Sequence, residues 1–231
     1  MKRFVLSPNT LTLFLECPRC FWFHIIKGED FRRPEGPSST LPRGMDNLIK
    51  KYFDNYRKKN LLPPEIAHIE NASLVDEETI SRWRYWKTGL FFQDRDGSKL
   101  YGALDECLIV EGFYVPLDYK TRGFKLKEDS ASYYTFQMSC YNFLLESNGY
   151  KVKDYAYLVF YVPSQVSQEG MVRFDTRVVR IKTLSSQRVY HVFKEAVDCL
   201  NLPSPPLAKE CKFCRWAEKI VNWGKEQISL F

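Results

Sequence analysis

Residues 100–121, LYGALDECLIVEGFYVPLDYKT, decide how this chain is read. Two apolar-rich runs flank Glu111-Gly112, a plausible turn pair between two strands. A hairpin closing there pairs Val110 with Phe113 and, carried outward, sets Asp105 directly opposite Asp118. Strand side chains alternate faces, so Lys120 shares the face of Asp118. Opposite residues have Cβ atoms about 4.5–5.5 Å apart, and like charges so placed repel. A divalent cation between the carboxylates removes that cost, because hard cations take carboxylate oxygens. A lysine one pleat away can then orient a water or steady a developing charge. The stretch therefore predicts a metal-dependent hydrolytic site at Asp105, Asp118 and Lys120. An isolated Asp-X-Lys is commonly a solvated ion pair, and the facing aspartate is what sets this one apart. An odd-numbered loop or a bulge would move the pairing and remove the site.

The totals fit such a protein. A chain of 231 residues makes one sizeable domain or two small ones, and 45% hydrophobic with 16% aromatic residues is ample for a core. The net charge of +6 permits an anionic partner such as nucleic acid. Its excess gathers early, at Arg43, Lys50, Lys51, Arg57, Lys58 and Lys59, where a helix could follow a phosphate backbone or simply present a solvated face. Met1-Lys2-Arg3 precedes no long apolar run, and no stretch approaches the ~20 apolar residues that span a membrane. The expectation is a cytoplasmic protein whose seven cysteines are reduced.

Ser7-Pro8 reads as an N-cap with proline at the first helical position, and Pro18 should break or restart that helix. Residues 28–42 read as a loop. Arg43 to Asn60 reads as a helix whose Met45, Leu48, Ile49, Tyr52, Phe53 and Tyr56 face the core. Asp46, near its start, complements the helix dipole. Residues 82–87, RWRYWK, interleave cations and aromatics. They suit either base stacking or, more commonly, an element edge with its aromatics packed inward. Strands are expected over 88–94, 154–162 and 171–182. Helices are expected over 128–148, 185–200 and around 216–227, with Gln137 and Tyr141 on one helical face. This order is an α/β (α+β) pattern, a mixed sheet covered by helices.

Cys17 and Cys20 form one C-x2-C, and Cys211 and Cys214 another. Four thiolates in two such pairs suit zinc or an iron–sulfur centre, with zinc the commoner partner of this spacing. Their ligation would tie the two chain ends together. Cys107, Cys140 and Cys199 read as core residues.

Taken together, several pieces resemble the PD-(D/E)XK nuclease superfamily, in its RecB-like branch with the AddB-type and CRISPR-associated iron–sulfur exonucleases. They are residues 7–21 with Cys17-Pro18-Arg19, Gly102-Ala103-Leu104-Asp105, Asp118-Tyr119-Lys120, Gln137 with Tyr141, and the terminal Cys211 and Cys214. The resemblance spans nearly the whole chain. It implies a restriction-endonuclease-like mixed β-sheet core flanked by helices, forming one nuclease domain over 1–231. Within it, 1–30 and 203–231 would make a subdomain around a cysteine-bound cluster. Asp105 and Asp118 would hold Mg2+ or Mn2+ with the backbone carbonyl of Tyr119. Lys120 would position or activate water, and Gln137 and Tyr141 would help hold the DNA and the site. The family's histidine on the helix before the hairpin is absent, and Asp46 is its natural substitute as a metal ligand. Cys17, Cys20, Cys211 and Cys214 would hold a [4Fe-4S] cluster, with Zn2+ as the alternative; the family usually places one cysteine early and three late.

The reading is a Mg2+/Mn2+-dependent deoxyribonuclease, an exonuclease on single-stranded DNA ends in repair, recombination or defence. Protein partners in a repair or CRISPR-type complex are compatible with it. The alternatives are a non-catalytic DNA-binding or assembly module on the same fold, and a zinc-stapled nucleic-acid-binding protein with no hydrolytic site.

Overall fold

Ser7 opens the first helix as read: its side chain accepts from the Thr10 backbone while the Thr10 hydroxyl accepts from the Ser7 backbone. The computed structural model describes residues 2–34, 40–208 and 210–228, with the side chains of 224–228 excepted. Part of the 28–42 loop, namely 35–39, and the last residues of the 203–231 segment lie outside the described residues.

Helix α1 (Pro8–Glu16) stops at Cys17, which also caps α2 (Pro18–Ile26), so Pro18 restarts the helix rather than kinking it. Strand β1 (Val5–Leu6) precedes them. Helix α3 (Thr40–Arg57) begins earlier than expected and buries Ile49, Phe53 and Arg57. Leu48 is 62% exposed, against expectation. One residue short of Ile49, it lies outside the stripe that reaches the sheet. Strand β2 (Ala72–Leu74) and α4 (Glu77–Arg84) follow, the latter capped by Asp76. Trp83 is buried in the core, so the inward-packing alternative holds for that aromatic of 82–87.

The hairpin is present in the expected register. Strands β5 (Glu106–Val110) and β6 (Phe113–Thr121) pair antiparallel, with Val110 opposite Phe113 and Glu106 opposite Leu117. Glu111 and Gly112 both take positive φ, 52° and 81°. A two-residue turn of the right twist demands this, and glycine meets the second position without strain.

The hairpin is shorter than the sequence suggested. Leu100 to Gly102 belong to β4 (Lys99–Gly102), which pairs with β3 (Leu90–Gln93) and β1 in a separate sheet of order β1-β4-β3. The chain changes sheets across Ala103–Asp105. Gly102 marks the change: a Cβ there would lie 2.7 Å from Leu144 Cδ1 and 3.2 Å from the Tyr141 ring. Only glycine lets β4 approach so closely the helix α5 (Thr135–Ser147).

The larger sheet has the order β2-β5-β6-β7-β8, with β7 (Tyr155–Val166) parallel to β6 and β8 (Val172–Lys182) antiparallel to β7. Helix α5 makes the crossover between the parallel pair, as such a pair requires. It starts later than 128, after a 3-10 turn at Ser132–Tyr134. Period-two alternation divides the core. Val115, Leu117, Tyr119, Tyr157, Val159 and Tyr161 pack with Ile49 and Phe53 of α3. Ala156, Leu158 and Phe160 pack on the other face with α5 and with α6 (Ser186–Leu200). Helix α7 (Lys212–Ile228) closes the described chain. The result is a mixed α/β fold of two sheets flanked by helices, consistent with a restriction-endonuclease-like core. No helix among the described residues is long and apolar enough to cross a membrane.

Candidate active site and cysteine centre

The alternation that sends Leu117 and Tyr119 toward α3 sends Asp118 and Lys120 toward α5. Asp118 is 5% exposed on this inner strand, and its carboxylate lies 2.5 Å from Lys120 Nζ. Lys120 Nζ in turn donates to Gln137 Oε1 at 3.4 Å, and Gln137 Nε2 donates to the Tyr141 hydroxyl at 3.0 Å. The spacing of four on α5 puts those two side chains on one face. Tyr134 completes the rim, with the Lys120 ammonium 4.6 Å from its ring centroid.

Asp105 immediately precedes β5, and Asp46 and Lys50 come from α3, which starts at Thr40, so Asp46 lies beyond the first turn and does not complement the helix dipole as expected. Lys50 Nζ bridges Asp46 at 2.7 Å and Asp105 at 2.8 Å. Burial disfavours the Lys50 charge, but Asp105 and Asp46 outweigh it and raise its pKa. Lys50 is the member of this site that the sequence reading missed, having been counted only in the basic excess. Its spacing of four from Asp46 was the available signal.

Burial pushes Asp118 up to about 6 against the pull of Lys120, and the Asp105 and Asp46 carboxylates push in the same direction. A carboxylate that is desolvated and faces like charges is stabilised by a cation, so the donor set suits a hard divalent ion. The three carboxylates do not close around a point, since Lys50 stands between Asp46 and Asp105.

A buried network holds Asp105 in place. Arg84 Nε donates to the Asp105 carbonyl at 2.8 Å while its Nη1 grips both Asp54 oxygens. The Glu106 side chain is fully buried between Arg57 at 2.6 Å and Arg84 at 3.2 Å. Burial favours the neutral acid there, and the two guanidinium groups oppose it.

The four motif cysteines meet where α1 gives way to α2, beside the start of α7. Their sulfurs all lie within 4.8 Å of one another, with Cys20–Cys214 at 3.5 Å, Cys20–Cys211 at 3.7 Å and Cys17–Cys214 at 3.8 Å. All seven cysteines are free thiols. Burial opposes ionisation of Cys211, yet the Cys214 backbone N–H and the Cys20 and Cys17 thiols lower it to about 7. Burial and the same neighbours raise Cys214. The group can therefore hold a metal. Arg19–Glu218 at 2.7 Å and Arg33 stacked 4.7 Å from Phe213 join the two chain ends around it.

Comparison with curated proteins gives no match. A family model, that of the PD-(D/E)XK nuclease superfamily, matches residues 44–218, a span that includes Asp46, the hairpin, α5 and the C-terminal cysteine pair. The chain therefore belongs to the PD-(D/E)XK nuclease superfamily.

Proposed function

We propose that this protein is a Mg2+- or Mn2+-dependent deoxyribonuclease of the RecB-like branch, acting as an exonuclease on single-stranded ends. The linked set Asp118–Lys120–Gln137–Tyr141, beside Asp105 and Asp46, carries this reading. Asp105, Asp118, the Tyr119 carbonyl and Asp46 are the residues that would hold the ion, which supplies Lewis-acid stabilisation of the phosphodiester. Lys120, held between Asp118 and Gln137, orients a water toward phosphorus. The water's oxygen bonds to phosphorus as the water gives up a proton to solvent, the bridging P–O bond breaks, and the departing oxygen takes a proton from solvent and leaves as a hydroxyl. Gln137 restrains Lys120, and Tyr141 restrains Gln137. Repair, recombination or defence in the cytoplasm is the setting such chemistry suits, alone or within a repair or CRISPR-type complex.

A non-catalytic DNA-binding module on the same fold is the second reading, favoured by Lys50 standing between Asp46 and Asp105. Calorimetric titration with Mn2+ separates the two. The nuclease reading expects binding by the wild type, and loss of both binding and DNA cleavage in Asp118→Asn. A folded wild type that neither binds Mn2+ nor cuts would favour the module.

The whole chain is read as one nuclease domain, with 1–30 and 203–231 as a metal-stapled subdomain. A tetrahedral zinc site with Zn–S near 2.3 Å has sulfur–sulfur edges of about 3.8 Å. In a [4Fe-4S] centre each thiolate holds a different iron, so the sulfurs are separated by the width of the cluster. Contacts of 3.5–3.8 Å between the sulfurs favour zinc over the iron–sulfur centre that the resemblance implies.

A further inference from the structure

The segment joining Lys120 to Gln137 is the least explained part of the site. It begins at the end of β6 and returns through Tyr134, whose ring lies against Lys120. Its backbone is pinned: Arg122 N–H donates to the Tyr161 carbonyl at 3.0 Å, and Lys127 N–H to the buried Ser130 hydroxyl at 2.9 Å. Leu126 packs on the core. Phe124, between these anchors, is left 86% exposed, and Tyr133 is 72% exposed. These are the two most exposed aromatic side chains among the described residues. An exposed phenylalanine on an anchored loop gains nothing from the fold, and an aromatic face with adjoining cations is a platform for unpaired bases. Arg122, Lys125 and Lys127 supply the cations, and none has an ion-pair partner among the described residues. The segment's acids are Glu128 and Asp129, and Asp129 accepts a hydrogen bond from the Tyr133 hydroxyl at 3.4 Å.

The geometry points to the 122–134 connection as a binding surface for single-stranded nucleic acid. A base stacks on Phe124, and Arg122, Lys125 and Lys127 hold the backbone that leads to Lys120. This rests on the nuclease reading and adds to it the residues that would receive the unpaired strand. Duplex bases are already stacked on one another, so only an unpaired base is free to lie on the ring.

The test is binding of a fluorescein-labelled oligothymidylate in Ca2+, without cleavage, by the full chain. Phe124→Ala is expected to weaken binding about tenfold, with an unchanged melting temperature because the ring is exposed. Phe124→Trp should retain affinity, and its indole emission should be quenched by the oligonucleotide. An abasic oligonucleotide should bind wild type and Phe124→Ala alike, whereas Lys125→Ala/Lys127→Ala should weaken both oligonucleotides. Equal binding of oligothymidylate by wild type and Phe124→Ala would overturn the surface, as would a wild type that binds none. A wild type that cuts DNA while Phe124→Ala binds normally removes the surface and leaves the nuclease. A wild type that never cuts, with binding lost in Phe124→Ala, keeps the surface and removes the nuclease.

Discussion

Lys50 places a cation between two of the site's carboxylates. It neutralises the repulsion that would otherwise arise between Asp46 and Asp105, and it occupies the position between two oxygen donors that a divalent ion would also seek. Its loss should free those carboxylates. Lys50→Met is expected to tighten Mn2+ binding on the order of tenfold, read by calorimetry, because an internal cation no longer competes. Weaker binding would instead make Lys50 a support for the ion's ligands. The hairpin register, from Val110 opposite Phe113 out to Glu106 opposite Leu117, was legible because a two-residue turn and period-two alternation leave one register open; Asp105 lies one residue beyond its last pair, where the chain is changing sheets. Lys50 was not legible, since reach from a helix to a neighbouring strand is a tertiary quantity. The Glu106 network was hidden for the same reason: its partners Arg57 and Arg84 lie on two other helices.

At the scale of elements, the hairpin, the Ser7 cap, the Pro18 restart and the α5 face follow from local rules, and the structure has them all. The change of sheets at Gly102 does not. The apolar run continues through it, and only the approach of α5 to the glycine separates the two sheets. Helix α6 is tied to the turn between β3 and β4 by Lys194, which reaches Asp94 at 2.6 Å and Asp96 at 3.1 Å. Burial would raise Asp94, but Lys194, the Arg95 backbone N–H and the Tyr190 hydroxyl hold it below its ordinary value. A carboxylate lowered on folding stabilises the protein above its unfolded pKa, near 3.9 for aspartate. It loses that contribution as pH falls through the folded value. Urea titrations should therefore show wild-type stability declining below about pH 4. Asp94→Asn should be about 1 kcal/mol less stable at pH 7, with a flatter acid limb. Parallel curves for the two proteins would remove the tie from the account.

Across the whole molecule, the cysteine centre fastens α2 to α7 and so joins segments near the two ends of the chain. Closing so long a loop restrains the unfolded chain and links metal binding to folding. Protein purified without chelator should carry about one zinc per chain with no acid-labile sulfide, and stripping it should lower the melting temperature. Four irons with sulfide would assign the cubane instead. The chain ends could be paired from the sequence through the C-x2-C spacing, while that spacing leaves zinc and an iron–sulfur centre both open. In the proposed nuclease the hydrolytic centre is formed by the hairpin and α5, and Lys120 acts on water rather than merely balancing Asp118. The most direct measurement is single-turnover cleavage of end-labelled single-stranded DNA in Mn2+ by wild type and by Lys120→Ala, with Mn2+ binding and circular dichroism followed on both. The account predicts cleavage by the wild type and a loss of more than about a hundredfold in a folded, Mn2+-binding Lys120→Ala. Cleavage by Lys120→Ala at the wild-type rate would contradict it.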